Sequence, residues 1–316
     1  MDYGTHLRLG DAEKAAKSGV RCDEIMKRGR LLFAVVLLWH AAAQLHSESV
    51  AAPQGAEETP NRRQLWLIPS SEPGVQMRAF VFRPPGEGPF PLVIINHGTI
   101  ESAARRLDLP APVYGGAAEW FVGRGYAVVV PQRPGHGETG GAYLENHGSC
   151  ADPDYRRAGF GAARSIEAAV AYMVTQPFVR KTGIILVGQS GGGWGSLAAA
   201  SRNPPAVRAV INFAGGRGGR AQDKPNNNCA ADRLIATAGL FGKTARVPTL
   251  WIYTENDSFF PPALSKRMAD AYRAAGGRVE FYLLPAFGDD GHLLLAAPES
   301  VPIWSPIVEK FLAGLK

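Results

Sequence analysis

The stretch Gly183-Ile-Ile-Leu-Val-Gly-Gln-Ser-Gly-Gly-Gly-Trp-Gly195 constrains this chain more than any other. Residues 184–187 form a β-branched and leucine run bounded by glycines, the composition of a strand buried on both faces. Gly188-Gln189-Ser190-Gly191-Gly192 follows at once and fits G-x-S-x-G, and the alanine-rich segment 196–202 is closed by Asn203-Pro204-Pro205. Strand, serine turn and helix in that order lift a hydroxyl onto a strained bend above a sheet. Glycines on either side let the strand and helix backbones pass closely. In a chain with 37 glycines the bare pattern arises readily by chance, so the flanking strand and helix carry the argument.

The rest of the chain alternates around this turn. Strands are expected at 64–68 and 75–83, an antiparallel hairpin at a sheet edge, then at 92–95, 126–130, 207–213, 249–253 and 279–284. Helices are expected at 112–124, at 155–176 with Gly159 and Gly161 as interruptions, at 230–241 and at 261–275. A terminal helix over 305–315 would use Ser305 and Pro306 as its N-cap and first turn. This alternation predicts a mostly parallel central sheet with right-handed crossovers and helices on both faces. With 316 residues and 46% hydrophobic composition, one catalytic domain over 64–316 buries a sufficient core.

The N-terminal sixty residues read differently. Residues 31–39 are an uninterrupted apolar run preceded by Lys27, Arg28 and Arg30 and followed by Ala41, Ala42 and Ala43. Basic, apolar and small residues in that order predict a signal peptide and export to the periplasm or medium; the run is too short for a stable membrane span. Residues 1–43 are thus the N-terminal extension and signal peptide, with cleavage after Ala43 or, second, after Ala51, and an uncleaved anchor as the alternative. The polar stretch 1–25 is foreign to such a segment, and Met26 is the expected start. Residues 44–63 are expected to be a linker. The formal charge of +6 is scattered, which speaks for solubility rather than nucleic-acid binding.

Export leaves two cysteines, Cys150 and Cys229, since Cys22 precedes the apolar run. One pair in an exported chain is a disulfide candidate, with two free thiols as the alternative. Their loops leave strands 126–130 and 207–213 at the carboxyl edge, the edge of Ser190, where they can meet. No His/Cys cluster has metal-ligand spacing, and neither a metal nor a cofactor is expected.

Asn96-His97-Gly98 after one strand, Arg133-Pro134-Gly135-His136-Gly137 after the next, the Gly188 to Gly192 turn, and Asp257 and His292 after the last two strands occur in a fixed order. In these motifs, over roughly residues 75–316, the chain resembles the α/β-hydrolase superfamily, and within it the dienelactone-hydrolase-like and small serine esterase branch. Dienelactone hydrolases proper carry a cysteine where this chain has Ser190, so dienelactone itself is not the expected substrate.

The resemblance implies a Ser-Asp-His chain order, and the chemistry asks for the same three groups. Ser190 is a poor nucleophile until an imidazole accepts its proton, and an acid must hold that imidazole in one tautomer. His292, in Phe287-Gly-Asp-Asp-Gly-His292, falls late enough to be the base. Asp257 is the acid, with Glu255 as competitor; Asp289 and Asp290 stand close in sequence to His292. The Gly191 N–H follows the nucleophile and is one oxyanion donor; Thr99, or Ile100 in the adjacent register, matches the family position of the second. His97, Arg133, Trp194 and Tyr143 are candidates to line the pocket, His97 and His136 also having structural roles open to them, and His147 reads as a surface residue. A small-molecule carboxylic ester is the expected substrate. A serine peptidase, an acyltransferase and a non-catalytic binding protein on the same scaffold are the other readings.

Overall fold

The computed structural model describes residues 52–315. The expected signal segment, the Met26 start and Cys22 lie outside the described residues. Nine strands pair into one sheet: β1 (Ala52–Glu58), β2 (Arg63–Pro69), β3 (Gln76–Phe82), β4 (Leu92–Asn96), β5 (Ala127–Pro131), β6 (Ile184–Gln189), β7 (Val207–Phe213), β8 (Thr249–Thr254) and β9 (Val279–Leu284). Their order is β1-β2-β3-β5-β4-β6-β7-β8-β9. β1 to β3 are antiparallel to their neighbours, and every pairing from β5 to β9 is parallel. This is the mostly parallel sheet that the alternation predicts, in the α/β-hydrolase arrangement that the resemblance implies.

Seven helices lie among the described residues: α1 (Ala103–Leu107), α2 (Gly115–Val122), α3 (Tyr155–Met173), α4 (Gly191–Ala200), α5 (Ala231–Thr244), α6 (Pro262–Ala274) and α7 (Val301–Ala313). None is long and apolar enough to cross a membrane. The central strands β4, β5 and β6 are buried along their whole length, so both sheet faces need cover. On one face Trp194 and Leu197 of α4, Ile166 of α3, Phe241 of α5 and Met268 and Tyr272 of α6 pack over Ile94, Val129 and Leu186. On the other, Trp120 and Phe121 of α2 and Trp304, Val308 and Phe311 of α7 cover Val93, Val128, Ile185 and Ile211.

Three expectations change. The segment expected as a linker contributes β1 from residue 52 onward, with Ala52 opposite Leu67 and Glu58 opposite Arg63. This edge strand is mostly exposed and carries no alternation of apolar residues, so periodicity could not reveal it. The terminal helix starts a turn early, with Pro302 in its first turn and Pro306 inside it. Gly159 and Gly161 do not interrupt α3. They are approach points: a Cβ on Gly159 would lie 2.8 Å from the Phe241 ring and 3.1 Å from Ala198 Cβ, and one on Gly161 would collide with the Leu144 carbonyl.

As expected, Cys150 and Cys229 are bonded, with Cα atoms 4.8 Å apart and a sequence separation of 79. Closing a loop of that length restricts the unfolded chain by about 4 kcal/mol in the chain-entropy account.

Glycine demand at the β6–α4 turn is testable. A Cβ on Gly192 would run into the carbonyl oxygens of Asn96 and His97, whereas one on Gly115, at the start of α2, meets nothing within 4 Å. Gly192→Ala should lower unfolding stability by about 2 kcal/mol or more, and Gly115→Ala should be neutral or raise it by about 0.5 kcal/mol. Denaturant titration of the two variants reads both.

Candidate active site

From β4 the chain passes to β5 on one side, and β6 then pairs on the other side of β4. The loops leaving β4 and β6 therefore part in opposite directions and open a crevice at the carboxyl ends of the strands, where open parallel sheets bind ligands. Asn96 is paired with Gly188 across these strands, so residues 97–99 and 189–191 leave the sheet at the same level.

Ser190 has φ 52° and ψ −122°, a strained backbone for any residue with a side chain. Neighbours hold it: its N–H donates to Phe213 O at 3.0 Å, and its carbonyl accepts from Trp194 N–H at 2.9 Å and Gly216 N–H at 3.2 Å. The side chain is half-buried, and its hydroxyl makes no hydrogen bond to the described residues. Gly191 opens α4, and a first-turn N–H has no partner within its own helix.

The loop after β8 supplies Asp257, 2% exposed, and a 3-10 turn at Gly291–Leu293 supplies His292, 4% exposed. His292 Nδ1 donates to Asp257 Oδ1 at 3.0 Å, which leaves Nε2 as an acceptor. The same carboxylate oxygen accepts the N–H groups of Phe259 and Phe260 at 2.8 and 3.0 Å. The Phe259 ring stacks on the imidazole at 4.0 Å between centroids. Glu255 is exposed, and Asp257 is the acid that reaches the histidine.

One contact ties this pair to the serine turn. Gln189, the residue before Ser190, donates its Nε2 to the His292 carbonyl at 2.7 Å and accepts from Tyr114 OH at 2.7 Å. Burial pushes the Tyr114 hydroxyl up to about 12, so it stays a donor. Asp290 accepts from His292 N–H at 3.1 Å and from Ser258 N–H at 3.1 Å. Burial opposes its charge, yet the Ser258 bonds hold its carboxyl below the usual range.

The loop after β4 faces the serine. A Cβ on Gly98 would sit 3.3 Å from Ser190 Cβ, and one on Gly191 would sit 2.8 Å from Thr99 Cγ2. Thr99 Oγ1 lies 2.8 Å from His136 Nε2 and 3.2 Å from Tyr143 OH. His136 Nδ1 points at the carbonyls of Arg133 and Pro134 and must donate, so Thr99 donates to Nε2 and accepts from Tyr143. Arg106 bonds the carbonyls of Ile100, Glu101 and Gly135, each at 3.0 Å, and stacks 3.6 Å over the Tyr143 ring. Thr99 is thus the residue brought against Gly191; Ile100 is turned to Arg106.

Three residues expected to line the pocket do not. Trp194 is fully buried, donates to Tyr155 O at 2.9 Å and packs on Phe241, because α4 turns it into the core. Arg133 is fully buried against Glu145 at 2.5 Å and the His97 carbonyl at 2.9 Å. His97, 5% exposed, accepts from Arg133 N–H at 3.0 Å and faces Gly98 O at 2.5 Å. His147 is buried beside Glu101 rather than at the surface. Tyr143 is half-buried and does face Thr99. Gln189, Tyr114, Arg106 and Arg217 leave no signal in the sequence: Gln189 is the unspecified residue of G-x-S-x-G, and the others stand in a loop, at a helix start or in a five-residue helix without periodicity.

The model of the dienelactone hydrolase family matches residues 77–292. No sequence among the curated proteins matches the chain. Among solved structures, an esterase of Pyrococcus furiosus superposes with TM-score 0.56 at 14% identity, over 84% of this chain and 98% of its own. The acylaminoacyl peptidase of Pyrococcus horikoshii gives TM-score 0.58 at 14% identity, over 83% of this chain and 42% of its own. Dipeptidyl peptidase 4 of Porphyromonas gingivalis gives 0.54 at 14%, over 81% and 36%. At such identities these neighbours speak for the fold alone.

The histidines behind the Thr99 loop make a pH prediction. Burial pushes His136 down to about 4, and burial with Arg133 nearby pushes His97 well below its usual 6.5. Both are neutral when folded, so the unfolded chain binds more protons below pH 6.5, and stability falls as pH falls. Unfolding free energy should drop between pH 6.5 and 5, before most carboxylates titrate, and His136→Gln should make that slope shallower. An equal slope in the variant would contradict the assignment.

Proposed function

The chain belongs to the dienelactone hydrolase family and is a hydrolase on this fold; from that premise we propose that it cleaves carboxylic esters through Ser190, His292 and Asp257. The observation that carries this reading is the Nδ1 bond from His292 to Asp257, in a histidine whose carbonyl is tethered to the residue before Ser190. Asp257 holds the tautomer in which Nε2 is free to accept a proton.

In the proposed cycle, Ser190 Oγ attacks the ester carbonyl as His292 Nε2 takes the hydroxyl proton. Charge developing on the carbonyl oxygen is met by the N–H groups of Gly191 and Thr99, fixed in advance by α4 and by the Thr99–His136–Tyr143 chain. Collapse of the tetrahedral adduct breaks the ester C–O bond, and His292 returns the proton to the leaving alcohol. Water then enters by the same route, losing its proton to His292, and releases the carboxylic acid with Ser190 restored.

Export is proposed alongside, supported by the basic, apolar and small-residue order of residues 27–43 and by the Cys150–Cys229 bond, which suits an oxidising compartment. Protein recovered from outside the cytoplasm should begin at Gln44 or Ala52 by mass spectrometry, from translation started at Met26. An N-terminus retaining residues 27–43 would sink the cleavage reading and favour the uncleaved anchor.

For the chemistry, Ser190→Ala should abolish both ester hydrolysis and labelling by a fluorophosphonate probe while keeping the fold. His292→Ala should be comparably inactive, and Asp257→Asn should lose about 10³- to 10⁴-fold in kcat. Glu255→Gln should behave as wild type. If it proves the more damaging change, Asp257 is not the acid, and retained labelling of Ser190→Ala rejects the nucleophile.

A further inference from the structure

Tyr114 stands at the start of α2 and takes no part in the proposed cycle, yet its backbone has φ 48° and ψ 45°. That is the left-handed region, unfavourable for any residue with a side chain. Such strain persists only where the surroundings over-determine it, and it is a reason to ask what the residue does. Its carbonyl accepts from Ala118 N–H at 2.8 Å, which fixes it to the first turn of α2. That turn is packed in its own right: a Cβ on Gly116 would lie 2.8 Å from Pro298 Cα, in the segment that follows the His292 turn.

The hydroxyl that this backbone aims has two partners. It donates to Gln189 Oε1 at 2.7 Å and accepts from Gly98 N–H at 3.4 Å. Both directions are fixed, because Gln189 Nε2 donates to the His292 carbonyl and a phenol has one proton to give. Gly98 is also gripped at its other end. His97 Nε2 accepts from Arg133 N–H, so Nδ1 carries the proton and donates to Gly98 O at 2.5 Å. The Gly98 carbonyl and the Thr99 N–H belong to one planar trans peptide and point to opposite sides of it. Holding Gly98 at both its N–H and its carbonyl therefore sets the direction of the Thr99 N–H, which is bonded to no backbone carbonyl among the described residues.

We infer that Tyr114 is a positioning residue, whose hydroxyl holds the oxyanion loop in register with the base. It ties Gly98 to the Gln189 side chain, and Gln189 is tied to His292. The loop proposed to meet the developing charge and the loop proposed to move the proton are thus both referred to the residue before Ser190. Removing the hydroxyl releases one grip on Gly98 and leaves Gln189 Oε1 without its donor, while the ring stays. No atom of Tyr114 is asked to touch substrate, so its loss acts on the transition state and not on ground-state binding. The inference rests on the reading of Ser190 as an esterase nucleophile.

Tyr114→Phe tests it, with p-nitrophenyl acetate as substrate and kcat expressed per site labelled at completion by the fluorophosphonate probe. A misfolded fraction lowers the count of labelled sites and leaves kcat per site as it was. In the variant kcat per site should fall about 10-fold or more, with KM within about 2-fold of wild type. The Ki of a trifluoromethyl ketone, whose adduct with a serine carries an oxyanion, should rise by about the same factor. A kcat per site equal to that of wild type, or a loss confined to KM, overturns the inference. Hydrogen exchange of isotope-labelled glycines in wild type decides the matter even if the variant does not fold: the Gly98 amide should exchange about 10-fold or more slowly than in an unstructured peptide, and an unprotected Gly98 amide overturns the inference. Either overturning result in an active wild type leaves the esterase reading standing. Should wild type hydrolyse no ester and take no probe, it is that reading which fails, and this inference falls with it.

Discussion

The crossing of β6 and α4 at Ser190 is the constraint on which the rest of the carboxyl edge depends. The chain must reverse from a fully buried strand into a fully buried helix within one residue, and that residue takes a positive φ. Glycine at 188 and 192 is dictated by contact: a Cβ on Gly188 would lie 2.5 Å from Gly192 O, and one on Gly192 would strike the end of β4. Strain of this kind persists only where the surroundings over-determine it. Here β4 and β7 on either side, and the bonds from Phe213 and Gly216, leave the serine no other conformation.

That crossing aims the hydroxyl but leaves the loop after β4 to be placed, and here buried polar groups replace apolar packing. Arg133 and Glu145 form a buried pair that also fixes the His97 carbonyl, and Arg106 binds three carbonyls of the two facing loops. Burial alone would raise the Glu145 carboxyl, but Arg133 beside it holds it below the usual range. Buried ion pairs are poor sources of stability because desolvation offsets their attraction. Their directional bonds instead set where loop backbone lies, which apolar side chains without preferred donors or acceptors cannot do. Thr99, whose hydroxyl ends one such chain, inherits its position from these charges.

Legibility in the sequence followed the same division. Strands β6, β7 and β8 and the turn at Ser190 were readable because burial on both faces leaves apolar runs, and close crossings leave glycines. Asp257 and His292 were readable because they follow strands in a fixed order. β1 was missed because an exposed edge strand leaves no pattern, and α1 because five residues carry less than two helical turns. Trp194 was misplaced for a physical reason: it stands four residues from Ser190, but α4 turns it toward α3 and α5 and away from the crevice. Arg217 sits in Gly215-Gly-Arg-Gly-Gly219, where glycines permit many paths and no periodicity says which way the arginine points.

What determines that direction is long-range, and the disulfide is part of it. Glu145, whose carbonyl accepts from Arg217, lies five residues before Cys150; Gly218, next to Arg217, accepts from Cys229 N–H at 2.9 Å. Tyr155, at the start of α3, also bonds the Cys229 carbonyl, so the bridge is buttressed by a helix anchored in the core. The covalent link therefore joins the loop that carries Arg217 to the loop that carries its partners. A charged side chain held out of water needs its acceptors to stay within a few tenths of an ångström, and glycine-rich loops alone would not hold them there. On this reading the bond matters less for Ser190, Asp257 and His292, which β6, β8 and the His292 turn position without it, than for the placement of Arg217 and Glu145.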